Sequence, residues 1–165
     1  MIKFRLFYDK DLEEKWLNNL SDKGWAFKSF FAGIFIFERC EPGKYLYKID
    51  MLKGIEGKNY KEFMQELNIE PVQQWFRWIV LRKKKADGPF ELYTDVESKI
   101  AQYTRIRNFF IVFAILMFAI MLIETFSLFH DDGSWYLINI IFSGLLTLLF
   151  VRQVVRSNMK ILELK

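Results

Sequence analysis

A chain of 165 residues that is 52% hydrophobic and 18% aromatic, with a formal net charge of +4, has the size of one domain plus a small appendage and is too apolar for disorder. A single cysteine, Cys40, excludes an internal disulfide framework, and a single histidine, His130, leaves little support for metal centres or Cys–His nucleophiles. The mean hydropathy of +0.06 hides two unlike parts: 36 of the 44 charged residues fall in residues 1–107, and residues 109–123 hold none.

Ile2 to Tyr8 reads as a strand, with Lys3 and Arg5 interleaved with Phe4 and Leu6. Asp9 or Asp11 caps a helix beginning near Leu12, which places Leu12, Trp16, Leu17 and Leu20 on one face, and Gly24 ends it. Trp25 to Phe31 and Ile34 to Cys40 form two strands about Ala32-Gly33, and Glu41-Pro42-Gly43-Lys44 is a turn. The order then recurs. Tyr45 to Leu52 is a strand, Tyr60 to Leu67 a helix with Tyr60, Phe63, Met64 and Leu67 on one face, and Val72 to Phe76 and Trp78 to Arg82 are two short strands. Two βαββ halves imply an α+β class, a ferredoxin-like sandwich over residues 1–85, with Trp16 and Phe63 among its most buried side chains.

Lys83-Lys84-Lys85 closes this domain, either as a solvated strand end or as a contact for anionic lipid. Asp87-Gly88-Pro89 is a turn, and Thr94 with Glu97 makes a capping box. From Asp95, Val96, Ile100, Tyr103 and Ile106 recur at helical spacing, and no Gly or Pro interrupts the run into the apolar segment. The expected organisation is a cytoplasmic domain at 1–85, a turn and juxtamembrane helix at 86–107, a transmembrane hairpin at 108–152 and a cytoplasmic tail at 153–165.

Residues 109–129 and 135–151 are long enough to span a bilayer, the second only just, and neither has a polar face to show to water as a soluble bundle would need. Lys99, Arg105 and Arg107 precede the first span and Arg152, Arg156, Lys160 and Lys165 follow the second, while the His130–Ser134 turn has no Lys or Arg. The positive-inside rule puts both termini in the cytoplasm of a multi-pass cell-membrane protein. Residues 1–20 lack the apolar core of a signal peptide, so the first span is expected to direct its own insertion. Arg105, Arg107, Arg152 and Arg156 join the triple lysine as expected lipid contacts. Glu124 is ionisable within a span; it either hydrogen-bonds Asn139 at similar depth or snorkels outward. Asn139, Ser143, Gly144 and Thr147 make a small-residue face suited to close helix packing, within the hairpin or between protomers.

Several strings carry a resemblance: Lys15-Trp16-Leu17-Asn18, Lys23-Gly24-Trp25, Phe37-Glu38-Arg39-Cys40-Glu41-Pro42-Gly43, Ile49-Asp50, Trp75-Phe76-Arg77-Trp78, and Asp87-Gly88-Pro89-Phe90-Glu91-Leu92-Tyr93. In this order they resemble the bacterial family of domains of unknown function numbered 2812, over roughly residues 1–107. The resemblance implies a membrane tail and a gene neighbourhood with PadR-like repressors, hence a regulatory or stress setting. It brings no catalytic residues.

RNA binding is disfavoured, because the aromatics of Gly33-Ile34-Phe35-Ile36-Phe37 fall one position out of phase with the RNA-recognition signature. Cys40 reads as a small buried apolar residue, His130-Asp131-Asp132 as a polar turn, and Asp9, Asp11, Glu13 and Glu14 as complements to a helix dipole. No enzyme activity, cofactor, metal or nucleic acid is expected. The expected partners are the membrane and a cytoplasmic protein, with self-association open. The expected function is a membrane-anchored regulatory adaptor; the alternative is an accessory subunit of a transport or resistance complex.

Overall fold

In a computed structural model, the chain is described over residues 1–52, 57–130, 133 and 135–165, with the backbone alone at 57–59. It divides into two compact units, Met1–Thr94 and Asp95–Lys165. The α+β class is the one the repeat implies. Unit one runs β1 (Ile2–Phe4), α1 (Lys10–Asp22), β2 (Trp25–Phe31), β3 (Ile34–Arg39), then β4 (Tyr45–Met51), α2 (Gly57–Glu66), β5 (Glu70–Trp75) and β6 (Trp78–Lys84). Each half closes its own antiparallel three-stranded sheet, in the orders β1-β3-β2 and β4-β6-β5.

Helix α1 begins where Asp9, in extended conformation, accepts the Asp11 N–H through its carboxylate at 2.8 Å. It ends at Gly24, whose φ of +79° suits a left-handed cap and where a Cβ would stand 3.0 Å from the Cys40 carbonyl oxygen. Its inward residues are Leu17 and Leu20, packed on Phe27, Phe35 and Phe37 of the first sheet and on Tyr47, Ile49 and Val80 of the second. Trp16 is partly buried, edge-on to Phe35 and Phe37 at 5.0 and 5.5 Å. Leu12 is exposed, because the helix turns Glu13 and Glu14 inward instead.

The second sheet is covered on both faces. Ile79 and Leu81 on its far side pack with Leu52, Met64, Ile69 and Phe90. The inward residue of α2 is Met64, and Phe63 is 54% exposed, which corrects the expectation of a buried Phe63. On α2 the apolar arc is narrow, and Tyr60 and Met64, four residues apart, use all of it.

Two seams join the halves. Along β4, the edge strand of the second sheet, the outward backbone groups at Tyr45, Tyr47 and Ile49 are met by α1 side chains. Ser21 Oγ donates to the Tyr45 carbonyl at 2.7 Å and accepts its N–H at 3.2 Å. Asn18 accepts the Tyr47 N–H at 2.8 Å and donates to its carbonyl at 3.1 Å, and Glu14 accepts the Ile49 N–H at 2.9 Å. A helical turn of 5.4 Å roughly matches two strand residues of about 6.7 Å over this short run, so residues 14, 18 and 21 act as a neighbouring strand. Along β2, the Gln73 amide pairs with both backbone groups of Phe30. The Tyr47 hydroxyl accepts the Phe27 N–H at 2.9 Å, and Arg82 donates to the Phe27 carbonyl at 3.4 Å.

Unit two is an antiparallel pair, α3 (Val96–Leu128) and α4 (Trp135–Glu163). The cap of α3 is Asp95, which accepts the Ser98 N–H at 2.7 Å, one residue beyond the expected Thr94–Glu97 box. The residues after the second apolar stretch continue α4 to Glu163. Both helices are long and apolar enough to cross a membrane.

Leu17→Ala should lower stability by ~2–5 kcal/mol, whereas Phe63→Ala should stay within about 0.5 kcal/mol. Asn18→Ala strands both edge groups of Tyr47 and should cost roughly 1–3 kcal/mol. Urea unfolding followed by tryptophan fluorescence measures all three.

Candidate functional site

The most elaborate buried polar group in unit one is Asp50. It faces the α2 side of the second sheet, pairs in register with Ile79 and is 1% exposed. One carboxylate oxygen accepts the hydroxyls of Tyr60 at 2.8 Å and Tyr93 at 2.9 Å, and the other accepts the Met51 N–H at 2.8 Å. Such hydroxyl-to-carboxylate bonds are charge-assisted and stronger than neutral ones. Tyr60 comes from α2. Tyr93 comes from the strap at 88–94, which turns at Gly88 (φ +93°), buries Phe90 with Leu92 beside it, and takes a bond from Lys83 Nζ to the Pro89 carbonyl at 3.2 Å. The strap leads through Thr94 to Asp95, the cap of α3. Asp50 thus holds the last anchored side chain before the chain leaves unit one.

A second polar group lies at the start of α1. Glu14 is engaged by the Ile49 N–H and by Lys48 at 3.2 Å and Lys10 at 3.5 Å. Its neighbour Glu13 is buried, and burial, reinforced by the Glu14 charge, raises its pKa to about 7. Cys40 is half-buried rather than fully so; burial pushes its thiol above the usual value despite Lys44 and Arg82 nearby. That favours the thiol over the nucleophilic thiolate.

The intramembrane residues are placed as follows. Glu124 is partly buried, one of its carboxylate oxygens is closed off from solvent without a hydrogen-bond partner, and among the described residues no hydrogen bond joins it to Asn139. Ser143 is buried, but its hydroxyl donates to the Asn139 carbonyl at 2.7 Å, and Thr147 donates to the Ser143 carbonyl at 2.8 Å, so both bond within α4. Gly144 turns toward α3, where Met121 Sδ stands 3.5 Å from the position a Cβ would take. Midway along the pair, Phe110 and Phe113 pack on Phe150 at 5.8 and 5.9 Å, and Arg107 donates to Asn158 at 3.1 Å.

Of the basic residues, Lys83 is tied to Pro89, Lys85 approaches Asp22 at 3.8 Å, and Lys84 is exposed. Arg152 is exposed, and Arg105 and Arg156 are half-buried. His130 is exposed, its ring 3.0 Å from the Phe126 carbonyl. Asp131, Asp132 and Ser134 of the connecting turn lie outside the described residues.

The Asp50 cluster escaped the reading by motif because its hydroxyls come from 10 and 43 residues away. The available signal was that Ile49-Asp50 and the string ending at Tyr93 both belong to the family resemblance. Glu14, Asn18 and Ser21 also carried a signal: polar residues four and three apart, interleaved with the buried leucines.

The Glu13 titration has a definite sign. Its folded pKa lies above the ordinary 4.5, so the folded state holds the proton longer. Its contribution is present in full below about pH 4.5 and is lost as pH rises through about 7. Glu13→Gln should flatten stability across that window and raise it at pH 8 by ~1–3 kcal/mol, read from urea midpoints at pH 5 and pH 8.

Comparison with known proteins gives one match. The family described as a protein of unknown function, DUF2812, covers residues 9–115. No curated protein and no solved structure matches the chain. The match spans more than half of the chain, from the cap of α1 into the apolar part of α3, and the protein belongs to the DUF2812 family.

Proposed function

We propose that the protein is a membrane-anchored regulatory adaptor without catalysis of its own. In this reading α3 and α4 cross the cell membrane, both termini are cytoplasmic, and unit one holds or releases a cytoplasmic protein. The observation that carries the reading is the continuity of α3. It runs 33 residues without a break, from the apolar segment down to a cap two residues after Tyr93, which Asp50 holds. A helix of that kind is stiff enough to pass a rotation or axial shift from the bilayer to the strap.

The family resemblance suggests a PadR-like repressor as the partner, in an envelope or antibiotic stress response. The non-enzymatic reading is supported by the engagement of Asp50 and Glu14 with donors from their own fold. A second reading, an accessory subunit of a transport or resistance complex, is favoured by the exposed apolar side chains of α4, such as Ile141, Phe142 and Leu148, which offer a face for an integral partner.

Orientation is tested with single cysteines in a Cys40→Ser background. A cysteine at Ser134 should react with an impermeant maleimide in intact cells. One at Met159 should not; Met159 is 52% exposed and serves better than the buried Ser157. Coupling is tested by inserting two glycines after Ser98, which costs about 2 kcal/mol of helix propensity, and by Tyr93→Phe, which removes a charge-assisted bond worth ~1.5–3 kcal/mol. Both should weaken induction of neighbouring genes while leaving membrane insertion intact. Crosslinking from intact membranes should capture a DNA-binding repressor; capture of a polytopic transporter instead supports the second reading.

A further inference from the structure

The two halves repeat pair for pair at a spacing of 44 residues (27 to 71, 36 to 80). Phe27 opposite Phe37 and Ser29 opposite Ile36, with a bulge between, recur as Pro71 opposite Leu81 and Gln73 opposite Val80, with a bulge again between. The helix of each half packs on the same side of its sheet, on Phe35 and Phe37 in the first and on Ile79 and Leu81 in the second. On the other side, Phe31, Ile34 and Ile36 correspond to Trp75, Trp78 and Val80. The edge strands match likewise. Ile2 and Phe4 stand opposite Ile36 and Ile34, as Ile49 and Met51 stand opposite Val80 and Trp78.

These equivalent faces are treated differently. In the second sheet the face is buried: Ile49 and Val80 lie in the shared core, Trp75 and Trp78 pack on it, and the aromatic side chains of the first sheet cover them. In the first sheet Ile2, Phe4, Phe31, Ile34 and Ile36 are 39% to 79% exposed. The repeat therefore displays what a face of this kind accepts, namely another three-stranded sheet. The chain supplies none to the first.

Three features commit the bare face to a second copy of the chain. With Leu6 just beyond β1, its exposed apolar area is on the order of 600 Å². A stable interface takes ~800 Å² per partner, of which roughly 65%, or ~520 Å², is apolar in homodimers. The area suffices. The layout fits as well: the five side chains form an apolar centre, and Glu38, the one charged residue paired in register on this face, stands at the end remote from the Ala32-Gly33 turn. Finally, the other sheet faces are taken. The inner face of the first sheet packs on α1 and the second sheet, and the second sheet is closed by the first half and by α2 with the strap. Among the described residues of unit one, the bare sheet face that a second copy offers is this same face. A patch paired with itself makes a two-fold dimer, which closes and does not grow into a filament.

We infer that two copies of the protein associate through this face, their β1-β3-β2 sheets stacked about a two-fold axis with Phe4, Ile34 and Ile36 interdigitating with their counterparts. This pairing is independent of which protein unit one holds or releases.

The test uses the full chain in a Cys40→Ser background, both in membranes and purified in detergent. Light scattering, corrected for bound detergent, should give twice the 19.9 kDa chain mass. A single cysteine replaces either Ile36, at the middle of the face, or Glu62, exposed on α2. A short bis-maleimide should link the Ile36→Cys chain into a dimer, severalfold more than the Glu62→Cys chain. The double change Phe4→Ser and Phe31→Ser, at exposed positions, should weaken the dimer severalfold with the far-ultraviolet circular dichroism unchanged. If the double variant fails to fold, linkage at Ile36 in the otherwise unchanged chain decides alone. A monomer at micromolar concentration, with no linkage at Ile36 in membranes, overturns the inference. So does a dimer that survives the double change intact and fails to link at Ile36, which puts the contact elsewhere in the chain. Linkage of Ile36→Cys to a protein of another mass overturns it in favour of a different partner.

Discussion

The soluble unit depends on one constraint: a sheet edge inside a fold cannot be left with bare amides and carbonyls. Here two edges are closed by side chains in place of strands, and each closure crosses from one half to the other. Glu14, Asn18 and Ser21 of the first half serve β4 of the second. Gln73, Tyr47 and Arg82 of the second half serve β2 of the first. The shared aromatic core around Phe27, Phe35, Phe37 and Tyr47 then forms where these seams hold the sheets together. Burial supplies the larger free energy, but the polar seams decide which packing the halves adopt, because a slipped register would leave a row of groups unpaired.

The same arrangement explains the unequal treatment of the two sheets. The second sheet receives the first half on one face and α2 with the strap on the other, which leaves the buried Asp50 to be satisfied by hydroxyls from both of those elements. Among the described residues the first sheet is packed on one face, against α1 and the second sheet. A duplicated βαββ unit therefore gives one fully enclosed layer and one half-open layer, and among the described strand residues the buried carboxylate, Asp50, lies in the enclosed one.

Much of this was legible in the sequence, for physical reasons that differ by element. The alternation in Ile34–Arg39 and the turn at Ala32-Gly33 are local properties, and the strand bounds nearly coincide with them. The apolar stretches that continue α3 and α4 announce themselves by length alone. Helix faces were harder. Glu13 and Glu14 looked like dipole partners, yet both are buried, and Glu14 is the acceptor that the strand edge beside α1 needs; nothing local states that need. Phe63 looked like core and is not, because α2 covers its sheet with a narrow arc in which Met64 suffices. The polar residues of α4 were legible as a row but not by partner: the Ser143 and Thr147 hydroxyls bond carbonyls of their own helix. Asp50 was visible only as part of a recurring string, because its meaning lies in tyrosines far along the chain.

The short helical run between Asp95 and Phe109 has a consequence for affinity. Were α3 to cross a bilayer, that run would tie unit one to it by about 21 Å of helix. Encounters with lipid, or with another membrane protein, then become nearly intramolecular. A short linker corresponds to an effective concentration of about a millimolar where its geometry lets both sites engage. A contact with a dissociation constant near that value, too weak to detect with a freely diffusing domain, is half-occupied at all times on the anchored one. Surfaces on unit one can therefore be small and quickly reversible and still be populated, and modest changes in helix position or lipid charge are enough to shift that occupancy.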